Sequence, residues 1–131
     1  MIPMAEPAPK PKALPVVLLV DDEQLLLDTL GEDLKADFKV YTAKSASEAE
    51  TLLAARRYDV IVCDHMLPGE QGLDFLMRAM EMVPTTRRIM ITGYMSPEFI
   101  SRSTNLAGLS ACLLKPIQAP EVAAAINAAL S

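Results

Sequence analysis

Val60-Ile61-Val62-Cys63-Asp64 is an unbroken apolar run that stops on a carboxylate. Four apolar residues with no polar alternation suit a strand covered on both faces, as the strands of a parallel sheet are. Working outward, the same design recurs. Val16–Val20 runs into Asp21-Asp22, residues 88–91 run into Thr92, Ala111–Leu114 runs into Lys115, and Lys39–Ala43 supplies a fifth strand. The segments between them carry the helical period. Leu26, Leu27, Leu30 and Leu34 form one stripe and Leu73, Leu76, Met77 and Met80 another, both spaced as the buried face of a helix. Ser45 with Glu48 reads as a capping box opening a helix over residues 45–56. Pro97 and Pro120 suit first helical turns, where a missing N–H costs nothing, and Val122, Ile126 and Leu130 give the last helix its buried face. Strands and helices alternate five times, which predicts an α/β domain with a doubly wound parallel sheet.

The chain has 131 residues, room for one domain that buries roughly two thirds of its unfolded surface. Residues 1–15 hold five of the ten prolines and read as an extended tail or linker, leaving residues 16–131 as the domain. Hydrophobic residues make up 51% and charged residues 22%, the balance of a soluble globular protein. No apolar run approaches the ~18 residues of a spanning helix, so neither a membrane anchor nor a signal peptide is expected and the protein reads as cytoplasmic. The net charge of −5 argues against direct nucleic-acid binding, which rests on clustered Lys and Arg. Cys63 and Cys112 each lie in a strand-like run and read as buried small hydrophobes. His65 has no spaced partner for zinc and, in a loop, reads as a solvated side chain that at most modulates the site.

In a doubly wound sheet, ligands bind outside the carboxyl ends of the strands, so Asp21, Asp22, Asp64, Thr92 and Lys115 should converge on one crevice. Each residue alone has an ordinary explanation. Asp21-Asp22 would favour the dipole of the following helix, Asp64 could open a turn, Thr92 could end a strand, and Lys115 could be a surface lysine. Together they are more specific. Three adjacent carboxylates repel one another unless a cation compensates, and hard oxygen ligands favour Mg²⁺. Asp64 could then attack a phosphoryl group as a nucleophilic carboxylate. Lys115 supplies positive charge, and the Thr92 hydroxyl could bond a phosphoryl oxygen once one is present.

With these motifs in register, the chain resembles the CheY-like receiver domains of response regulators in bacterial two-component systems. The acidic pair Asp21-Asp22, the loop from Asp64 to Gly72 (DHMLPGEQG), Thr92 and Lys115-Pro116 carry the resemblance, which covers about residues 16–130. It implies a flavodoxin-like sheet of order 2-1-3-4-5 with five helices. It also implies that Asp64 is the phosphoacceptor, that Asp22 and Asp64 coordinate Mg²⁺ with Mn²⁺ able to substitute, that Met66 adds its backbone carbonyl, and that Asp21 holds a metal-bound water. A cis bond before Pro116 would follow. The implied phosphoryl donor is a sensor histidine kinase or phosphotransfer protein. The output would be altered binding to a target protein or a fused output domain, through the face made by helix four, strand five and helix five, with a homodimer as one use of that face. Such a domain is not a conventional enzyme, since it catalyses only its own phosphorylation and dephosphorylation.

The chain departs from this pattern at Cys112, where many receivers carry an aromatic ring that moves with the threonine. Tyr94 is expected to take over part of that signalling, and with Met66 to flank the entrance. The enzyme alternative is a haloacid-dehalogenase-like phosphatase, which expects its nucleophile after the first strand and a second Asp two residues later. Glu23 stands there instead. A flavin-binding relative is disfavoured because the first loop is acidic where a flavin phosphate would need glycines and hydroxyls.

Overall fold

The computed structural model describes residues 13–94 and 96–131, so most of the expected Pro-rich tail lies outside the described residues. The chain runs β1 (Val16–Val20), α1 (Gln24–Leu34), β2 (Lys39–Ala43), α2 (Ala46–Ala55) and β3 (Val60–Asp64). A two-rung hairpin follows, β4 (Met66–Leu67) and β5 (Glu70–Gln71), and leads into α3 (Gly72–Met82). The second half is β6 (Arg87–Thr92), α4 (Pro97–Ala107), β7 (Ala111–Leu114) and α5 (Ala119–Leu130). The main sheet is parallel, in the order β2-β1-β3-β6-β7. With the hairpin set aside, this is the 2-1-3-4-5 order that the sequence implied.

The period of two along each strand sorts the core onto two faces. Leu18, Val20, Ile61, Cys63 and Met90 pack with Leu53 of α2, Phe75 and Leu76 of α3 and Ala107 of α4. On the other face, Val17, Leu19, Val60, Val62, Ile89 and Ile91 pack with Leu27, Leu30 and Leu34 of α1 and Val122 and Ile126 of α5. Burial of both faces explains why β1 and β3 read as continuous apolar runs.

Local signals shaped the ends. Ser45 Oγ accepts the Glu48 N–H at 3.1 Å, capping α2. The return bond of the expected box goes one residue earlier, from the Lys44 N–H to Glu48 Oε2. Pro97 opens α4 behind the Ser96 cap, and Gly108 ends it in the left-handed region at φ 56°, as an αL cap requires. Lys115–Pro116 is cis.

Several expectations need correction. β3 runs one residue further than expected and β6 is longer by one residue at each end, so Asp64 and Thr92 are the last residues of strands. Leu130 is exposed at 38%, because the helical period continues past the sheet it would cover. Cys112 is only half-buried, since β7 is the edge strand. Leu26, Met77 and Met80 are half-buried on their helices, and Phe75 and Ala79 take the fully buried places on α3.

Candidate functional site

The ends of β1, β3, β6 and β7 place Asp21, Asp64, Thr92 and Lys115 at one end of the sheet. Asp21 and Asp64 are buried and Asp22 is exposed. One carboxylate oxygen from each of the three lies within 4.8 Å of the others. Lys115 Nζ stands 3.2 Å from Asp64 Oδ2, reaching from β7 across β6 to β3.

The electrostatics follow from this crowding. Burial, with the Asp64 charge adding to it, raises the Asp21 carboxyl from 3.8 to about 6, against the lowering effect of the Glu23 N–H that it accepts at 2.8 Å. Desolvation pulls the Lys115 ammonium down, but Asp64, Asp21 and Glu23 outweigh it and its pKa rises. Cys63, wholly buried below the site, has its thiol pushed well up by desolvation and then by Asp64, Asp21 and Glu70. A thiol so placed is held protonated and serves as packing.

Whether a divalent cation suits these residues can be judged from the donors. The second Asp21 oxygen, Oδ2, is buried without a hydrogen-bond partner among the described residues. An orphaned buried carboxylate oxygen costs free energy unless something binds it. It sits beside two more carboxylates, one open to solvent, and all three donors are hard oxygens. The set fits Mg²⁺.

Met66 is 61% and Tyr94 56% exposed. The Tyr94 N–H donates to Thr92 Oγ1 at 3.0 Å, and its ring meets that of Phe99 edge-on, with centroids 5.2 Å apart.

Three residues matter here that sequence reasoning missed or misjudged. His65 is half-buried, not solvated. Its Nδ1 lies 3.0 Å from Thr92 Oγ1, and its ring centroid is 4.6 Å from that of Phe99. Burial lowers its pKa, partly opposed by Asp64. The signal that could have found it was only its place beside the strand-end aspartate.

Gly72 begins α3 directly behind the loop that follows Asp64, its N–H donating to the His65 carbonyl at 2.7 Å. A Cβ there would collide with the Asp64 carbonyl oxygen and sit 3.1 Å from Cys63 Sγ. Glycine is therefore what lets α3 approach the aspartate's backbone.

Arg88 is buried on β6 and donates to three carbonyls. Nε reaches Ala107 at 2.8 Å, Nη1 reaches Thr86 at 2.7 Å, and Nη2 reaches Gly108 at 3.3 Å. The cation thus sits on the C-terminal carbonyls of α4, where the helix dipole favours positive charge.

Comparison with known proteins agrees with this geometry. A family model described as the response regulator receiver domain matches residues 17–127. The hydrogenase transcriptional regulatory protein HoxA of Cupriavidus necator is 42% identical over 100 residues, which is 76% of this chain and 21% of that protein. The phosphate regulon regulator PhoB of Rhizobium meliloti is 36% identical over 122 residues, covering 89% of this chain and 52% of that protein. The chain thus spans about a fifth to a half of these curated relatives. Among solved structures, the signal receiver domain of an HD domain-containing protein from Pseudomonas fluorescens superposes with a TM-score of 0.83 at 30% identity, covering 90% of this chain and 95% of that one. The chemotaxis response regulator CheY4 of Vibrio cholerae gives 0.80 at 25% identity, covering 88% and 98%. The family match supersedes the phosphatase alternative. With the strand-end residues, the sheet order and the family model in agreement, this chain belongs to the response regulator receiver domain family and is a phospho-accepting signalling switch.

Proposed function

We propose that Asp64 is the phosphoacceptor of this switch and that Asp21, Asp22, Lys115 and Thr92 serve it. The carrying observation is the Lys115–Asp64 pair at 3.2 Å within the acidic cluster. One carboxylate of the cluster thereby has its own cation, while the other two have no salt-bridge partner among the described residues. An Asp64 carboxylate oxygen attacks the phosphorus of a phosphohistidine. The new O–P bond forms as the N–P bond breaks, and the imidazole leaves with the electron pair. Lys115 stays beside the oxygens that gain charge. The Thr92 hydroxyl donates to a phosphoryl oxygen once the group is in place.

Asp22 and Asp64 side chains and the Met66 backbone carbonyl would hold Mg²⁺, with Mn²⁺ able to substitute, and Asp21 would hold one of its waters. When bound, the ion neutralises charge on the transferring oxygens.

The donor is a sensor histidine kinase or phosphotransfer protein, and the only reaction catalysed is the domain's own phosphorylation and dephosphorylation. Kinship with response regulators supports a cytoplasmic setting, and no helix among the described residues is long and apolar enough to cross a membrane. The output is a change in binding to a target or fused output domain across α4, β7 and α5, and homodimerisation is one form it can take. Residues 1–15 act as tail or linker. The net charge of −5 assigns any DNA contact to another part of such a protein.

The reading is tested by incubation with acetyl phosphate and Mg²⁺ followed by intact mass. Wild type should gain one phosphoryl group only when Mg²⁺ is present, and Asp64→Asn should gain none. Equal modification of the variant would refute the assignment.

A further inference from the structure

We propose that His65 is a positioning residue that latches Thr92 in the unphosphorylated protein and passes the threonine's release to α4 through Phe99. This rests on the reading of Thr92 as the group that senses the phosphoryl oxygen.

Thr92 is fully buried, so its hydroxyl proton needs an acceptor inside the protein. Its oxygen already accepts the Tyr94 N–H, and the remaining partner among the described residues is His65 Nδ1 at 3.0 Å. A hydroxyl carries one proton. It can be given to His65 or to a phosphoryl oxygen, not to both at once. Phosphorylation and the His65 bond therefore compete for the same donor, and the imidazole must give up its partner when the threonine turns.

The ring is not isolated. It packs on Phe99 in the first turn of α4, and Phe99 in turn meets Tyr94. Movement of His65 is thus felt at the N-terminal end of α4. The other end is tied down, because Arg88 holds the carbonyls of Ala107 and Gly108. A helix held at its C-terminus and touched at its N-terminus responds by pivoting. This supplies a route from the site to α4 in a chain whose β7 carries Cys112 in place of an aromatic ring.

Two substitutions separate latch from relay. His65→Phe keeps a ring against Phe99 but removes the acceptor. His65→Asn keeps a polar atom near the Nδ1 position but removes the ring. Full-length protein is titrated with beryllofluoride in the presence of Mg²⁺ and followed by backbone amide NMR, with dispersed spectra confirming that each variant is folded. His65→Phe should bind about fivefold more tightly, the equivalent of one neutral hydrogen bond of about 1 kcal/mol, and this gain should vanish when Thr92→Val is combined with it. His65→Asn should stay near wild-type affinity while the shifts of residues 98–102 on binding shrink by half or more. In wild type those shifts should exceed those at Ala107 and Gly108.

Unchanged affinity in His65→Phe, a gain that persists with Thr92→Val, or undiminished α4 shifts in His65→Asn would overturn the proposal. If wild type forms no complex, the reading of Asp64 and Thr92 falls with it. If wild type binds normally and only the His65 variants fail to behave as stated, the latch alone is refuted.

Discussion

Replacing Asp21 with Asn should stabilise the metal-free protein at neutral pH while weakening its hold on Mg²⁺. The carboxyl is 4% exposed and its pKa is raised from 3.8 to about 6, by burial first and by Asp64 second. A raised carboxyl pKa means that the folded state prefers the protonated form. The contribution is therefore fully present below pH 3.8 and is lost as pH rises through about 6. At 1.36 kcal/mol per pH unit, ionising this group costs the fold about 3 kcal/mol at pH 7.5. Asn is isosteric, can still accept the Glu23 N–H, and carries no charge. Its amide can also donate from the place of the orphaned Oδ2.

Because the mouth of the site is open at Asp22, we expect the measured gain to be about 1–3 kcal/mol, or a rise in Tm of several degrees. The assay is urea unfolding in EDTA at a series of pH values between 4 and 8. The advantage of Asp21→Asn should be small at pH 4, grow between about pH 4 and 6, and level off above pH 7. Mg²⁺ should raise the stability of wild type more than that of the variant, which loses the carboxylate that would hold a metal-bound water. An advantage of equal size at pH 4 and pH 7.5, or no advantage at all, would refute the claim that burial of a charged Asp21 strains the fold.

Two further substitutions probe how the site is held. Gly72→Ala should cost about 2–4 kcal/mol and slow phosphorylation by acetyl phosphate, because its methyl group must displace the Asp64 carbonyl; an unchanged unfolding midpoint would contradict this. Arg88→Met should cost about 2–4 kcal/mol and increase amide exchange at the C-terminal end of α4, since three carbonyls lose their donor. Exchange unchanged at residues 105–109 would show that the clamp does not hold the helix.

The strand ends were legible because their logic is local. An apolar run that stops on Asp, Thr or Lys places that residue at the rim of a parallel sheet, and Asp21, Asp64, Thr92 and Lys115 all obey it. The helical stripes of the core were legible for the same reason, as periods of three to four residues, whereas the unbroken strand runs announced only that both faces are covered. What escaped was set by register between distant segments. His65 meets Thr92 only because β3 pairs with β6 so that Asp64 stands opposite Ile91, and nothing near His65 in sequence announces a partner 27 residues on. Arg88 looks like a polar strand edge until the end of α4 is folded over it. Gly72 looks like a loop glycine, because the carbonyl it makes room for belongs to Asp64, across the β4–β5 hairpin. Leu130 shows the opposite error, a helical period that outlasts the sheet beneath it.

Which carboxylate takes the phosphoryl group can be answered directly by chemical trapping. Protein treated with acetyl phosphate and Mg²⁺ is reduced with borohydride, which converts an aspartyl phosphate to homoserine with loss of phosphate, and is then mapped by peptide mass spectrometry. Homoserine should appear at position 64 alone and only in samples that contained Mg²⁺. Homoserine at position 21 or 22, or none anywhere despite bound phosphate, would contradict the assignment of Asp64.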